Sequence, residues 1–197
     1  MTYASKTYTS NPKGFLNKLS LATQKELFTV SQHVHLDYKK EQVFFFGNGQ
    51  ILILETGFLM TIRYNKHGKH IGIDILRPGD LLGICQLFNP NYRNTISVLP
   101  LSAINGYLLS VTDMECLIKK NEELLMALIT QFSERFIRVV NNFNHIAIGT
   151  STQKLQYILT TITNLNLEYP THEELAILSG LNRVTVTKQL NLALSRE

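Results

Sequence analysis

The sequence predicts an α+β protein with a β-rich N-terminal half, one long helix and a small helical unit at the C-terminal end. Three observations carry this. Short β-prone runs separated by turn residues fill the stretch from Val34 to Leu109. Apolar residues then recur at 4-3-4-3-4-3 spacing from Leu125 to Ile146. Last comes THEELAILSGLNRVTVTKQLNLALSR, residues 171–196, which reads as two short helices around a glycine.

In chain order, Thr23 and Glu26 have capping-box spacing and predict a short helix to about Gln32. Strands are predicted over 34–38, 42–46, 51–55, 58–64, 70–76, 94–99 and 102–110. Their separators are Gly47-Asn48-Gly49, Thr56-Gly57, Asn65-Lys66-His67-Gly68 and Arg77-Pro78-Gly79-Asp80. Many short strands at such spacing build a sandwich or a barrel. Thr112 and Glu115 predict another short helix, to about Lys120. The long helix runs from Glu122 to about Ile148. Its seam is Leu125, Ile129, Phe132, Phe136, Val139, Phe143 and Ile146, the heptad spacing of a coiled coil. Such a seam predicts self-association; a helix buried in a monomeric core is the competing reading. Leu124, Leu128 and Val140 flank it and suit packing against the β-rich half. Gly149-Thr150-Ser151-Thr152 predicts a hinge. A helix over about Thr152 to Asn164 then presents Leu155, Ile158, Leu159 and Ile162 as a core stripe. The boundaries are 1–120, 121–148 and 149–197.

The last segment carries the sharpest local signals. Thr171 and Glu174 form a capping box, and Leu175, Ala176 and Leu178 are the apolar side of the first helix. Gly180 suits a sharp turn with positive φ, and Asn182 suits the N-cap of the second helix. Val186, Leu190 and Ala193 make that helix's inner face, leaving Arg183, Thr185, Thr187 and Lys188 to point outward. This is the helix-turn-helix plan, whose second helix enters the DNA major groove with its N-terminal end. An ordinary αα-hairpin is the alternative.

Composition narrows the classes. The chain has 197 residues, 44% hydrophobic and 17% charged, with a net charge of +4. No run of about 18 uncharged apolar residues exists, so no transmembrane helix and no membrane partner is predicted. The first residues, MTYASKTYTSNPKGF, hold no apolar signal core, which points to the cytoplasm. Cys85 and Cys116 are too few for a disulfide framework, which fits a reducing compartment. From Gly149 onward, Lys154, Arg183, Lys188 and Arg196 balance Glu168, Glu173, Glu174 and Glu197. The DNA-facing unit is therefore neutral overall, and affinity requires its cations to cluster.

In order and spacing, these features resemble the Crp/Fnr family of transcription regulators over nearly the whole chain. Arg77-Pro78-Gly79-Asp80-Leu81-Leu82-Gly83 is similar to the family's G-D-x-x-G turn, and Leu87-Phe88 to the segment after it. The heptad helix resembles its dimerisation helix. Gly180, Arg183, Thr185, Val186 and Leu190 match its helix-turn-helix. The resemblance implies an N-terminal jelly-roll β-barrel as sensor, a dimerisation helix and a C-terminal helix-turn-helix domain. It implies a homodimer on a palindromic double-stranded DNA site, RNA polymerase as partner if the protein activates, and an unidentified small-molecule effector. The sequence stops at Glu197, where the family continues into a β-hairpin wing. Either the wing is lacking or the chain continues.

Carried over, Arg183 and Lys188 stand where the family's second helix reads bases, with Arg suited to guanine O6/N7. Thr185 would touch a phosphate. Val184 replaces a Glu of the cyclic-AMP receptor and cannot accept from cytosine, but could meet a thymine methyl. The DNA-binding candidates are thus Arg183, Val184, Thr185, Thr187 and Lys188. The effector-pocket candidates are Gly83, Ile84, Cys85, Asn94 and Thr95. Ile84 stands where the receptor has its ribose-binding Glu, and Asn94 and Thr95 take the Arg and Ser places. Arg93 is one residue early, on the opposite strand face. Cyclic AMP is therefore not the expected effector. Two cysteines also exclude the four-Cys iron–sulfur cluster of the Fnr subgroup.

Other chemistry is weak. His33-Val34-His35 has the H-x-H spacing of metal-binding cupins, but Lys39 and Lys40 stand where a Glu is needed. Solvated strand histidines are the simpler reading, and His67 and His70 read as exposed turn neighbours. Cys85 and Cys116 read as small buried apolar side chains, with redox sensing by Cys85 as the alternative. No P-loop, nucleophile elbow or triad is present, so no enzyme activity, metal or cofactor is predicted. Two readings remain beside the regulator: a cupin-like metal-binding β-barrel enzyme, and a sensor acting through protein contacts.

Overall fold

The computed structural model describes residues 14–38, 43–47, 49–64, 70–89, 91 and 96–194. A 3₁₀ turn, Phe15–Lys18, leads into α1, Leu21–Thr29. The strands are β1 Gln32–Leu36, β2 Phe44–Phe46, β3 Gln50–Thr56, β4 Leu59–Tyr64, β5 His70–Leu76, β6 Leu81–Leu82, β7 Ile96–Pro100 and β8 Ile104–Ser110. A single turn of helix, α2 (Cys85–Phe88), lies between β6 and β7. The helices α3 Val111–Ile118, α4 Glu122–Ile148, α5 Ser151–Asn164, α6 His172–Ser179 and α7 Arg183–Leu194 follow.

The strands form two antiparallel four-stranded sheets, in the orders β1-β8-β3-β6 and β2-β7-β4-β5. Among the described residues the two sheets do not join into one closed barrel. Side chains on a strand alternate between faces. In β3, Leu52 and Leu54 enter the core between the sheets with Leu59, Leu76 and Val98. Ile51 and Ile53 point the other way, into a second core with Phe15, Leu27, Met114 and Leu128 from the flanking helices. In β4, Met60 and Ile62 face a third core built with α5, α6 and α7. Both outer faces are thus covered by helix. Burial on two faces explains why β3 and β4 read as continuous apolar runs rather than alternating ones.

All seven predicted strands are present, shifted by up to two residues at their ends. β6 and α2 were not predicted; two and four residues are too short to carry a period. Two predicted caps are corrected. The α1 cap is Ser20, which accepts the Thr23 N–H at 3.3 Å, and α1 ends at Thr29. Thr23 lies inside the helix, where its hydroxyl donates to Glu123 of α4 at 2.5 Å. The α3 cap is Ser110, which accepts from Asp113 N, rather than Thr112. In both places the hydroxyl immediately before the first helical residue takes the role.

α4 begins and ends where predicted, capped by Asn121, whose side chain accepts from Leu124 N at 3.1 Å. Leu124, Ala127, Leu128 and Gln131 are buried against the sheet, whereas Val140 is exposed and makes no such packing. Only Gly149 and Thr150 separate α4 from α5, so the expected four-residue break is shorter. Thr150 and Gln153 form the capping box that restarts the helix. Cys85 and Cys116, read as buried, are both exposed free thiols. Among the described residues, no helix is long and apolar enough to cross a membrane.

Candidate nucleic-acid interface

α6, the turn and α7 are built as their residues dictate. The Thr171 hydroxyl accepts from Glu174 N at 3.1 Å, and the Glu174 carboxylate accepts from Thr171 N at 2.8 Å. Glu174 is fully buried, so its charge is spent within the fold and lies away from the surface. Gly180 adopts φ 67°, the left-handed conformation that ends α6. Asn182 caps α7, its Oδ1 accepting from Thr185 N at 2.7 Å. Leu175, Ala176, Ile177, Leu178 and Val186 bury themselves in the core beneath β4 and β5. α6 is thereby buried from Glu174 to Ser179, with Glu173 exposed at its start, and the outward face falls to α7.

Arg183, Val184, Thr187, Lys188 and Asn191 line one shallow concave patch of α7, together with Leu192. Arg183 and Lys188 are exposed, and Val184 is 79% exposed. Two small polar residues differ from the outward placement read in the sequence. Thr185 is half-buried and lies outside the patch. Thr187 is half-buried, and its hydroxyl meets His172 Nδ1 at 2.9 Å and donates to the Arg183 carbonyl at 3.0 Å. His172 and Asn191 were missed. His172 is visible only across the turn, and Asn191 continues the face at i+4 from Thr187.

The seam of α4 divides. Ile129, Phe132, Phe136 and Phe143 are exposed; the two last are 59% and 67% exposed. Leu125 and Val139 are half-buried, and Ile146 packs against the core shared by α5 and α6. Met126, Ile137 and Ile148 widen the exposed apolar surface.

Beside this seam, α4 closes a cleft of about 300 Å³ over the second sheet. Gly83, Ile84 and Cys85 line it, as do Ile73, Leu82, Phe132, Phe136 and Val139. Asn94 and Thr95, the other predicted pocket residues, lie outside the described residues, as does Arg93.

The floor of the cleft rests on a polar network that the sequence reading did not find. Asp74 and Asp80 are buried. Arg135 Nε donates to Asp74 at 2.9 Å and its Nη1 to the Leu81 carbonyl at 2.6 Å. Arg138 Nη2 donates to Asp80 at 2.5 Å, and its Nε lies 3.6 Å from Asp74, an ion pair without a hydrogen bond. Gln131 donates to Asp80 at 2.8 Å and accepts from Lys18 at 3.2 Å. Burial, then the Arg138 charge, pushes the Arg77 guanidinium below its ordinary pKa. Burial also acts to lower Arg138, but Asp80 and then Asp74 outweigh it and raise its value. Asn142 donates to Asp74 at 3.5 Å and accepts from the Tyr157 hydroxyl of α5. The Tyr157 ring stacks on His145 at 4.2 Å. A continuous set of contacts therefore runs from the cleft to the C-terminal helices.

The histidines of β1 are occupied otherwise. His33 Nε2 lies 3.2 Å from Glu55, and His35 contacts Asn105 at 2.8 Å and Asp37 at 3.0 Å. Among the described residues no group of three His, Cys, Asp or Glu could hold a metal. His67 lies outside the described residues, and His70 opens β5.

No protein-family model and no curated protein matches the sequence. Solved structures do match over most of the chain. The c-di-GMP-responsive global regulator CLP of Xanthomonas campestris is similar with a TM-score of 0.77 at 16% identity, over 90% of this chain and 93% of that one. A transcriptional regulator of the Crp/Fnr family from Eubacterium rectale gives 0.70 at 16% identity, over 91% and 86%. A Crp/Fnr transcriptional regulator from Thermus thermophilus gives 0.65 at 18% identity, over 84% and 86%. Two apposed sheets, a long helix beside them and a terminal helical unit are thus the fold of the Crp/Fnr family of transcription regulators.

Proposed function

We propose that the protein is a homodimeric, sequence-specific DNA-binding transcription regulator and not an enzyme. The observation that carries this is the α7 face: Arg183, Val184 and Lys188 stand exposed on a helix whose other side is held by a capped, buried α6. A helix presented in this way enters a major groove, where Arg reads guanine and an apolar residue meets a thymine methyl. One of the acids that neutralise the unit in the sequence, Glu174, counts less here because it is buried, while Glu168 and Glu173 stay exposed. In this reading, residues 1–120 are a jelly-roll sensor, 121–148 the dimerisation helix and 149–197 the helix-turn-helix unit. The exposed phenylalanines of α4 suit a parallel pairing of two copies, whose two-fold axis matches a palindromic site. The cleft under α4 is the effector site, and its occupant is not cyclic AMP. The protein works in the cytoplasm, and an activating role would add RNA polymerase as a partner.

Selection of bound duplexes from random DNA tests the reading, with salt dependence measured on the winner. A two-fold symmetric site is expected, with affinity falling steeply as salt rises. Absence of any enriched site at low salt overturns it in favour of a sensor that acts through protein contacts.

A further inference from the structure

We infer that the cleft under α4 takes a small, uncharged, apolar molecule of single-aromatic-ring size rather than a phosphorylated or carboxylate ligand. This rests on reading that cleft as the effector site. Its walls are Ile73, Leu82, Ile84, Phe132, Phe136 and Val139. Its volume of about 300 Å³ is roughly twice the ~150 Å³ of a cavity that holds benzene and lies at the lower end of ligand pockets, so it suits a small ring with substituents.

The polar side chains in its lining already have partners. The Thr61 hydroxyl donates to the Asp74 carbonyl at 3.3 Å. Gln131 donates to Asp80 and accepts from Lys18. Arg135 is held between Asp74 and the Leu81 carbonyl. An entering anion would have to draw Arg135 from a buried carboxylate, leaving Asp74 without one of its counter-charges. Arg63, the other cation among the described lining residues, is exposed to water, where a charge contact is weak and screened. Among the described residues, a charged ligand would therefore lose its hydration without a replacement partner, whereas an apolar one loses nothing by leaving water.

Cys85 lines the cleft and carries an exposed thiol, which makes it a reporter. The experiment uses the full chain with Cys116→Ser, so that Cys85 is the single thiol. Toluene, benzoate and cyclic AMP are titrated by calorimetry, and the rate of Cys85 alkylation by iodoacetamide is followed with each. Toluene is expected to bind saturably, one per chain, at least tenfold more tightly than benzoate, and to slow alkylation more than tenfold. Cyclic AMP is expected to show no heat and no protection. Cys85→Trp, which fills the cleft, and Ile73→Lys, which charges its exposed wall, should each abolish toluene binding with the melting transition intact. Benzoate or cyclic AMP binding as tightly as toluene overturns the inference, as does non-saturable partitioning or undiminished binding by Cys85→Trp. An empty result with toluene also overturns it, as when the partner copy's own side chains fill the cleft. The selected DNA duplex is titrated in parallel. Toluene failing while the duplex binds sinks only the ligand class; toluene binding with no enriched duplex sinks only the DNA-binding reading.

Discussion

Arg183 and Lys188 are the exposed cations of the α7 patch, and the proposed function gives them different roles. Arg183 sits at the first position of the helix beside Val184, close to where base edges would lie. Arg183→Ala is expected to cost about 1–3 kcal/mol of binding and to relax preference at one base position. Lys188→Ala should weaken all duplexes about equally and reduce the salt slope by about one. Competition titrations on the selected site and its single-base variants separate the two. Equal loss of specificity in both variants would contradict the assignment. Val184→Glu is expected to shift preference toward cytosine at its position, read by repeating the selection. Gly180 was legible because φ 67° needs glycine, and its added Cβ would meet only Ile146 Cγ2 at 3.8 Å. Gly180→Ala therefore carries only the backbone cost of about 1–2 kcal/mol. His172 was not legible, because its contact with Thr187 exists only once the turn is closed.

α4 carries two faces at once. One is buried by Leu124, Ala127 and Leu128, and the other exposes Ile129, Phe132, Phe136 and Phe143. Heptad spacing located the second face but could not show that Leu125 is half-buried and that Ile146 packs against the core of α5 and α6. Phe143→Glu places a charge in the proposed seam, at a residue outside the cleft and away from the sheet-facing side. It is expected to give a monomer by sedimentation, with the fold retained and binding to a two-fold site lost. A dimer that persists in this variant would exclude the seam. The start of α4 is tied to α1 by Glu123, which accepts from Ser20 N at 2.6 Å, Ser20 Oγ at 2.9 Å and Thr23 Oγ1 at 2.5 Å. The Thr23 bond first, then those from Ser20, hold this carboxyl below its ordinary pKa. A lowered folded value means that the contribution is present above the ordinary glutamate range and is lost as pH falls through the folded value. Melting curves from pH 6 down to about pH 3 should therefore converge for wild type and Glu123→Gln at the acid end. A gap that stayed constant with pH would refute this.

Across the whole molecule, the three cores are stacked through both sheets, and the last boundary is the second sheet. Its outer face packs on α5, α6 and α7, so the proposed sensor and DNA-reading unit touch within one chain. Where β5 meets α6, a Cβ on Gly72 would approach Met60 Sδ to 2.8 Å, Ile177 O to 3.2 Å and Leu178 Cα to 3.3 Å. Gly72→Val should pry α6 from β5, seen as faster amide exchange in α6 than in β3. Asp80 is the most loaded acceptor of the polar network, taking Arg138, Gln131 and Arg77 N. Asp80→Asn leaves the part-buried Arg138 with Asp74 alone as counter-charge, and about 3 kcal/mol and 6–12 °C of melting temperature are expected to be lost. Asn142→Ala cuts the link between Asp74 and Tyr157 at little cost to either core. If the network couples the cleft to α7, this variant keeps ligand binding while ligand no longer changes DNA affinity. Unchanged coupling would assign the network to stability alone.

The sequence by itself determined the strands with clear apolar runs, the full span of α4, the cap of α6, the left-handed glycine and the cap of α7. Each is a local matter of periodicity, hydroxyl spacing or backbone sterics, and needs no distant partner. The tertiary structure alone decided which side of α4 stays open and that the Thr23 hydroxyl turns to Glu123 instead of capping α1. It also decided how Asp74, Asp80, Arg135 and Arg138 meet, and what remains uncommitted in the cleft. Those outcomes depend on contacts between residues about 50 to 100 positions apart, where burial and charge pairing outweigh local preference.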